Sequence, residues 1–264
     1  MKVKCELYHD HFENHKRYPL KKAQLIIADI PYNLGNNAYA SNPSWYKGGD
    51  NKNGESELAG TQFFDTDKDF KISNFFSFVK RMLKPEPKEV GKAPCMIVFC
   101  AFNQITPLIQ IAKTHGFKTF NHPLIFTKDY SAEVLKANMR PVGACEYAVL
   151  FYRDKLPKFN NSGQMVFNHM PFGRDREKIH PTQKPLSVLK KLIELFTDEG
   201  DVVIDPVAGS GSTLLAAKIL NRHSYGFEIK KDFYNEAIKN INETKTIIKN
   251  NQTMTQTDIF DFID

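Results

Sequence analysis

The sequence predicts an α/β fold with a doubly wound, mostly parallel sheet. Three observations carry this expectation: short apolar runs that end on a carboxylate, amphipathic helical stretches between those runs, and a glycine turn joining one run to a helix.

The elements follow in chain order. Leu25-Ile26-Ile27-Ala28 is an apolar run closed by Asp29, as expected of a strand buried on both faces. Residues 33–66, rich in Asn, Gly and aromatics, show no period and read as a long loop of the functional kind. Phe75, Val79 and Met82 then share a helical face, and the helix stops before Pro85. Met96-Ile97-Val98-Phe99 is the next strand. Ile105, Leu108, Ile109 and Ala112 form a second helical stripe that Gly116 ends. Leu124-Ile125-Phe126 and Ala148-Val149-Leu150-Phe151 read as further strands, and residues 153–179, a mixture of Arg, Lys, Asn and Phe, as a second long loop. Pro185 suits a first helical position, with Leu186, Leu189, Ile193 and Phe196 on one face behind it. Val202-Val203-Ile204 is a strand ending at Asp205, followed by a glycine turn and a helix. Tyr225-Gly226-Phe227 leads to Glu228, and a last helix covers about 231–248.

Composition narrows the classes. With 264 residues, 41% hydrophobic and 25% charged, the chain can bury one full α/β core and is neither disordered nor fibrous. No apolar run approaches the roughly 18 residues that span a bilayer, and the first turns of chain are too polar for a signal peptide, so no membrane association and a cytoplasmic location are expected. Cys5, Cys95, Cys100 and Cys145 lack Cys-x-x-Cys spacing, so neither a disulfide nor a metal site is indicated. The 36 basic and 30 acidic residues leave +6, which favours a polyanionic partner without requiring one.

The chemistry concentrates in two places. Asp205-Pro206-Val207-Ala208-Gly209-Ser210-Gly211-Ser212, followed by Thr213, lies between a strand and a helix, where glycines let backbone approach a ligand at the switch point of an open sheet. Neither the phosphate-loop nor the dinucleotide glycine pattern is present. Glu228, at the end of the following strand, is placed to accept from both hydroxyls of a ribose, so a nucleoside without phosphates fits these acids. Taken alone, the glycines could equally mark a tight turn. The second place is Asp29-Ile30-Pro31-Tyr32. These four residues put a carboxylate, backbone carbonyls and an aromatic side chain directly after a strand. Alone, that tetrapeptide reads more readily as a strand-ending turn than as a catalytic motif.

Together with His180-Pro181-Thr182-Gln183-Lys184-Pro185, these segments resemble the amino-methyltransferases that act on DNA, in the adenine-N6/cytosine-N4 family. Asp29-Ile30-Pro31-Tyr32 resembles the family's Asp-Pro-Pro-Tyr catalytic motif, and the resemblance implies that the Asp29 carboxylate and the Ile30 carbonyl each take one N–H of a poorly nucleophilic exocyclic amino group while Tyr32 stacks on the base. The glycine turn resembles its Asp-Pro-Phe-x-Gly-Ser-Gly-Thr loop, with Val207 for Phe and Ser212 for Thr. The order, catalytic motif before cofactor loop, is similar to the circularly permuted β class.

The resemblance implies a Rossmann-like class I methyltransferase fold over residues 1–249: a catalytic half to about 126, target-recognition segments over about 127–178 and a cofactor half over 179–249. It implies S-adenosylmethionine as cofactor, held by Asp10, Asp29, His180, Thr182, Lys184, Asp205, Pro206, Ala208, Gly209, Ser210, Gly211, Ser212, Thr213 and Glu228. No metal is implied. Asp at the first catalytic place points to adenine in DNA as the target. Cytosine-N4 methylation, and a catalytically inactive DNA-binding module on the same scaffold, are the alternatives. For DNA contact, Lys136, Arg140, Arg174 and Arg176 stand out, within segments that also carry Lys128, Arg153, Lys155, Lys158, Asn160 and Asn161. A solvated basic face would use the same residues. The tail, 250–264, resembles bacterial sliding-clamp-binding peptides through Gln256, Asp258, Ile259 and Phe260. Whether two copies pair as a homodimer is left open.

Overall fold

The computed structural model describes residues 3–31, 70–128, 141–172 and 184–251, the last nine of these as helical backbone. The strands are β1 (Cys5–Tyr8), β2 (Leu25–Asp29), β3 (Cys95–Cys100), β4 (Lys118–Thr119), β5 (Leu124–Lys128), β6 (Cys145–Tyr152), β7 (His169–Phe172), β8 (Val202–Asp205) and β9 (His223–Phe227). The helices are α1 (Ile72–Met82), α2 (Ile105–Thr114), α3 (Leu186–Phe196), α4 (Ser212–Ile219) and α5 (Lys231–Asn251). Among the described residues the strands form one sheet in the order β1-β9-β8-β2-β3-β6-β5-β7, with β4 paired to β6. Neighbours from β1 to β3 are parallel, and β6 runs antiparallel to β3, β4 and β5. No helix among the described residues is long and apolar enough to cross a membrane.

Alternation of side chains along the central strands explains why both faces are covered. Ile26, Ala28, Met96 and Val98 face one core, which α1 and α2 close with Phe75, Phe76, Val79, Leu108 and Ala112. Leu25, Ile27, Cys95, Ile97 and Phe99 face the other, closed by Val188, Leu189, Leu192 and Ile193 of α3 and by Ala216 and Ala217 of α4. The near-continuous apolar runs read from the sequence are therefore strands buried on two sides.

Three elements differ from the sequence reading. The stretch 153–179, expected to be a loop, contains β7, which pairs parallel to β5 from Ile125↔His169 to Lys128↔Phe172. Its four residues include Pro171 and alternate between exposed and half-buried, too brief a pattern to register as a strand. The edge strand β1 pairs with β9, and only Leu7 of its four residues is buried, so its sequence carried little apolar signal. Pro185 caps α3 instead of opening its first turn, with φ −56° and ψ 133°; proline fixes φ alone, and both positions accept that value.

The topology has one functional consequence. Strands β1, β9, β8 and β2 are adjacent and parallel, so their C-terminal ends share one rim of the sheet, the side on which open α/β sheets bind ligands. Asp10 lies just past β1, Glu228 just past β9, Asp205 at the end of β8 and Asp29 at the end of β2. With strands about 4.8 Å apart, four acids remote in sequence stand in one row.

Candidate active site

The glycine turn is held from below by its own backbone. The Ala208 N–H donates to the Phe227 carbonyl (2.8 Å), and the Gly211 N–H to the Ala208 carbonyl (2.8 Å). Gly209 and Gly211 adopt φ +50° and +76°, the left-handed region that glycine enters without steric cost. A Cβ on Gly211 would stand 3.0 Å from the Ala237 Cβ of α5, whereas one on Gly209 would meet nothing within 4 Å. The loop is thus packed against the body at one glycine and open at the other. Across it, the Glu228 carboxylate accepts from the Gly209 N–H (2.9 Å) and the Lys230 N–H (2.7 Å), and the Ser210 and Ser212 hydroxyls lie 2.8 Å apart.

Asp205 is buried at the head of this loop and accepts from the Val207 N–H at 3.1 Å. Burial pushes its carboxyl up to about 7; Asp29 and Glu228 push the same way, against hydrogen bonds from Thr213 and Val207. Burial likewise raises Glu228. Surroundings that raise two neighbouring acids disfavour a further anion beside them. The stability consequence has a definite sign. Unfolded aspartate titrates near 4, so between about pH 4 and 7 the folded state holds a proton that the unfolded chain has lost. The resulting stabilisation is complete below about pH 4 and disappears as pH rises through 7. Its size is on the order of a few kcal/mol, from about 1.4 kcal/mol per pKa unit. The melting temperature of the cofactor-free protein will therefore fall between pH 5 and 8 more steeply than that of Asp205→Asn; equal slopes would contradict this environment for Asp205.

Asp29 closes β2, beside β3. Its Oδ2 pairs with the Lys184 ammonium (3.0 Å), which also pairs with the Glu146 Oε2 (2.9 Å) and lies 5.1 Å from the centre of the Phe99 ring. Lys128 pairs with the other oxygen of Glu146. Burial opposes ionisation of Glu146, but Lys184 and Lys128 outweigh it and hold the carboxyl well below the usual range. The next residue, Ile30, is buried and donates its N–H to the Phe99 carbonyl (3.2 Å). The Pro31 carbonyl accepts from the Gln104 Nε2 at 2.8 Å.

Of the residues singled out from sequence, the fold brings Asp29, Ile30, Pro31, Lys184, Asp205, Pro206, Ala208 to Thr213 and Glu228 to this rim. Asp10 reaches it as well, but its carboxylate is engaged locally: Oδ1 accepts from the His11 N–H (2.7 Å) and the Asn14 amide (2.6 Å), and Oδ2 from the Tyr18 hydroxyl (2.8 Å). The Asn14 amide is the main influence lowering its carboxyl below the ordinary value. Tyr32, His180, Thr182, Lys136, Arg140, Arg174, Arg176, Gln256, Asp258, Ile259 and Phe260 lie outside the described residues.

Several cations read as candidates for DNA contact are tied to the protein itself. Lys128 pairs with Glu146, and Lys158 is buried against Asp198. Arg153 donates to the Lys84 carbonyl, and Lys155 to the carbonyls of Pro87 (2.6 Å) and Lys88 (2.9 Å). Asn160 donates to the Glu194 and Thr197 carbonyls (3.1 and 2.9 Å), and Asn161 to the Gln164 carbonyl (2.7 Å). Arg153, Lys155, Lys158 and Asn160 fasten the β6–β7 connection to the body, Lys128 joins β5 to β6 and Asn161 bonds within the connection, purposes that composition could not separate from phosphate binding. Conversely, Glu146 and Gln104 were missed. Glu146 left a faint sign, as the lone acid in an otherwise apolar strand; Gln104 left none.

A parallel rim carrying a glycine turn, flanked by carboxylates at the strand ends, defines the class: a Rossmann-like methyltransferase fold. The chain belongs to the N6/N4 DNA methylase family, whose model matches residues 23–239. It is 31% identical to YubD of Escherichia coli (strain K12) over 143 residues, which are 54% of this chain and 60% of YubD. It is 25% identical to the DNA adenine methyltransferase YhdJ of the same organism over 258 residues, 90% of this chain and 83% of YhdJ. The chain thus spans three fifths of one of these relatives and most of the other. Among solved structures, the M1.HpyAVI–SAM complex superposes with a TM-score of 0.64 at 21% identity, covering 89% of this chain and 98% of that one.

Proposed function

We propose that the protein transfers the methyl group of S-adenosylmethionine to the exocyclic N6 of adenine in DNA, acting on a base flipped out of the duplex. The observation that carries this reading is the row of strand ends, with Asp29 on β2 directly beside Asp205 on β8 and Glu228 on β9 one strand further. When bound, S-adenosylmethionine supplies an electrophilic sulfonium methyl. The residues present suit it: Glu228 offers a carboxylate to a ribose, Gly209 leaves its outer side open, and Asp10, His180, Thr182 and Lys184 belong to the segments that the family resemblance places around the cofactor.

On the target side, the Asp29 carboxylate and the Ile30 carbonyl each accept one amino N–H. They draw the nitrogen towards tetrahedral geometry and stabilise positive charge as it develops there. Lys184 orients the Asp29 carboxylate through Oδ2. Tyr32 stacks on the extruded base, worth about 1–3 kcal/mol. Asp at position 29, together with the adenine specificity in the name of YhdJ, supports adenine over cytosine. The chain order, β2 before β8, supports the permuted β class. Lys136, Arg140, Arg174 and Arg176 are proposed to meet phosphates and base edges.

The test is transfer of radiolabelled methyl to unmethylated bacterial DNA, followed by nucleoside chromatography. Label in N6-methyladenine is expected. Label in N4-methylcytosine would overturn the choice of base, and no label on DNA would overturn the activity.

Residues 256–264 are proposed as a clamp-binding peptide, with Ile259 and Phe260 as anchors and Gln256 and Asp258 beside them. Deleting them will abolish pull-down by a bacterial sliding clamp while methylation of naked DNA persists; retained pull-down would refute the assignment.

A further inference from the structure

We infer that Gln104 is a positioning residue for methyl transfer, acting as a staple that holds the Ile30 carbonyl in its working direction. This rests on the reading of Asp29 to Tyr32 given above.

The argument begins with the amide itself. Gln104 sits in the turn between β3 and α2, and both ends of its side chain bond to backbone. Oε1 accepts from the Ala101 N–H at 2.9 Å, and Nε2 donates to the Pro31 carbonyl at 2.8 Å. The Gln104 N–H also donates to the Ala101 carbonyl (2.9 Å), so the turn closes on itself before it reaches across to β2. One side chain therefore joins the ends of two adjacent parallel strands, β2 and β3, beyond the last ladder pair, Asp29↔Phe99.

What this joint holds is specific. The Ile30 N–H is tied to the Phe99 carbonyl (3.2 Å), and the Pro31 carbonyl is tied to Gln104. The Ile30 carbonyl, the proposed second acceptor for the amino group, lies between these anchors and cannot swing while both are made. The ring of Pro31 fixes φ between them and supplies no N–H of its own, so the turn cannot be secured by a donor at position 31. Catalytic groups lose effectiveness steeply when displaced, with a misplacement of about 1 Å costing roughly a hundredfold. The purpose of Gln104 is accordingly the geometry of the acceptor carbonyl, whereas the glycine turn is held by other bonds, from the Ala208 N–H to the Phe227 carbonyl and from the Gly209 N–H to Glu228.

Two substitutions separate this role from general stability. Gln104→Leu removes both bonds at similar volume. Gln104→Glu keeps the acceptor for Ala101 but sets a carboxylate oxygen against the Pro31 carbonyl. Single-turnover methyl transfer to unmethylated bacterial DNA, calorimetric cofactor affinity and thermal melting would be measured on both, with Asp29→Ala alongside. Both variants are expected to slow transfer roughly ten- to hundredfold, with cofactor affinity within twofold of the parent protein. Gln104→Glu should be no faster than Gln104→Leu. Transfer at the parent rate in both, or recovery in Gln104→Glu, would overturn the role. So would a loss of cofactor affinity in step with the rate. If Asp29→Ala itself stays active, the catalytic reading has failed instead, a distinct outcome from an inactive Asp29→Ala beside fully active Gln104 variants.

Discussion

Asp29→Ala will lower methyl transfer by roughly a thousandfold or more while cofactor affinity changes by only a few-fold. Removing a pre-aimed hydrogen-bonding group that acts on developing charge typically costs about 10²–10³ in rate. In the proposed reaction Asp29 would combine such a bond with the only formal negative charge in Asp29-Ile30-Pro31-Tyr32. The fold should tolerate the change, because Lys184 keeps its pair with Glu146 at 2.9 Å and is not left as an orphaned buried cation. Asp29→Asn, which retains one acceptor oxygen but no charge, should fall in between. Radiolabel transfer and titration calorimetry on the same preparations check both halves; a variant that loses cofactor affinity and activity together would place Asp29 in cofactor binding alone.

Glu228→Ala will have its effect in the other half of the site. Its carboxylate already accepts from the Gly209 and Lys230 N–H groups, and the proposed ribose hydroxyls would share its oxygens. Hydrogen bonds to a charged group are worth about 1.5–3 kcal/mol each, and each 1.4 kcal/mol is tenfold in affinity. Loss of the carboxylate should weaken S-adenosylmethionine binding by roughly a hundredfold or more, partly through the ribose and partly through a loosened Gly209. Glu228→Gln, which keeps an acceptor for one of the two backbone donors, should recover part of that loss. An unchanged dissociation constant in Glu228→Ala would remove Glu228 from the cofactor site.

The two halves of the site were unequally legible. Asp29, Asp205 and Glu228 could be found because each follows an apolar run, and a carboxylate closing a doubly buried strand is conspicuous in a linear chain. The Gly209–Gly211 turn was legible for a related reason: positive φ demands glycine, and the demand is written locally. The cations of 153–161 could not be interpreted locally, since a lysine that pairs with a distant aspartate and one that meets phosphate have the same neighbours in sequence. Lys158 and Asp198, 40 positions apart, illustrate this. Strand β7 escaped for lack of length, and β1 because an edge strand needs little apolar signal.

The sequence by itself determined the fold class, the places where carboxylates close strands, and the family resemblance. These follow from patterns a few residues long, because periodicity, turn chemistry and motif spacing are set by near neighbours. Tertiary structure alone decided the row of Asp10, Glu228, Asp205 and Asp29 along one rim, which depends on strand order; the Lys128–Glu146–Lys184–Asp29 chain of ion pairs; and the Gln104 staple on the Pro31 carbonyl. Each joins residues brought together only when the sheet assembles, and the hydrogen bonds and ion pairs that define them act over about 3 Å of space irrespective of separation along the chain.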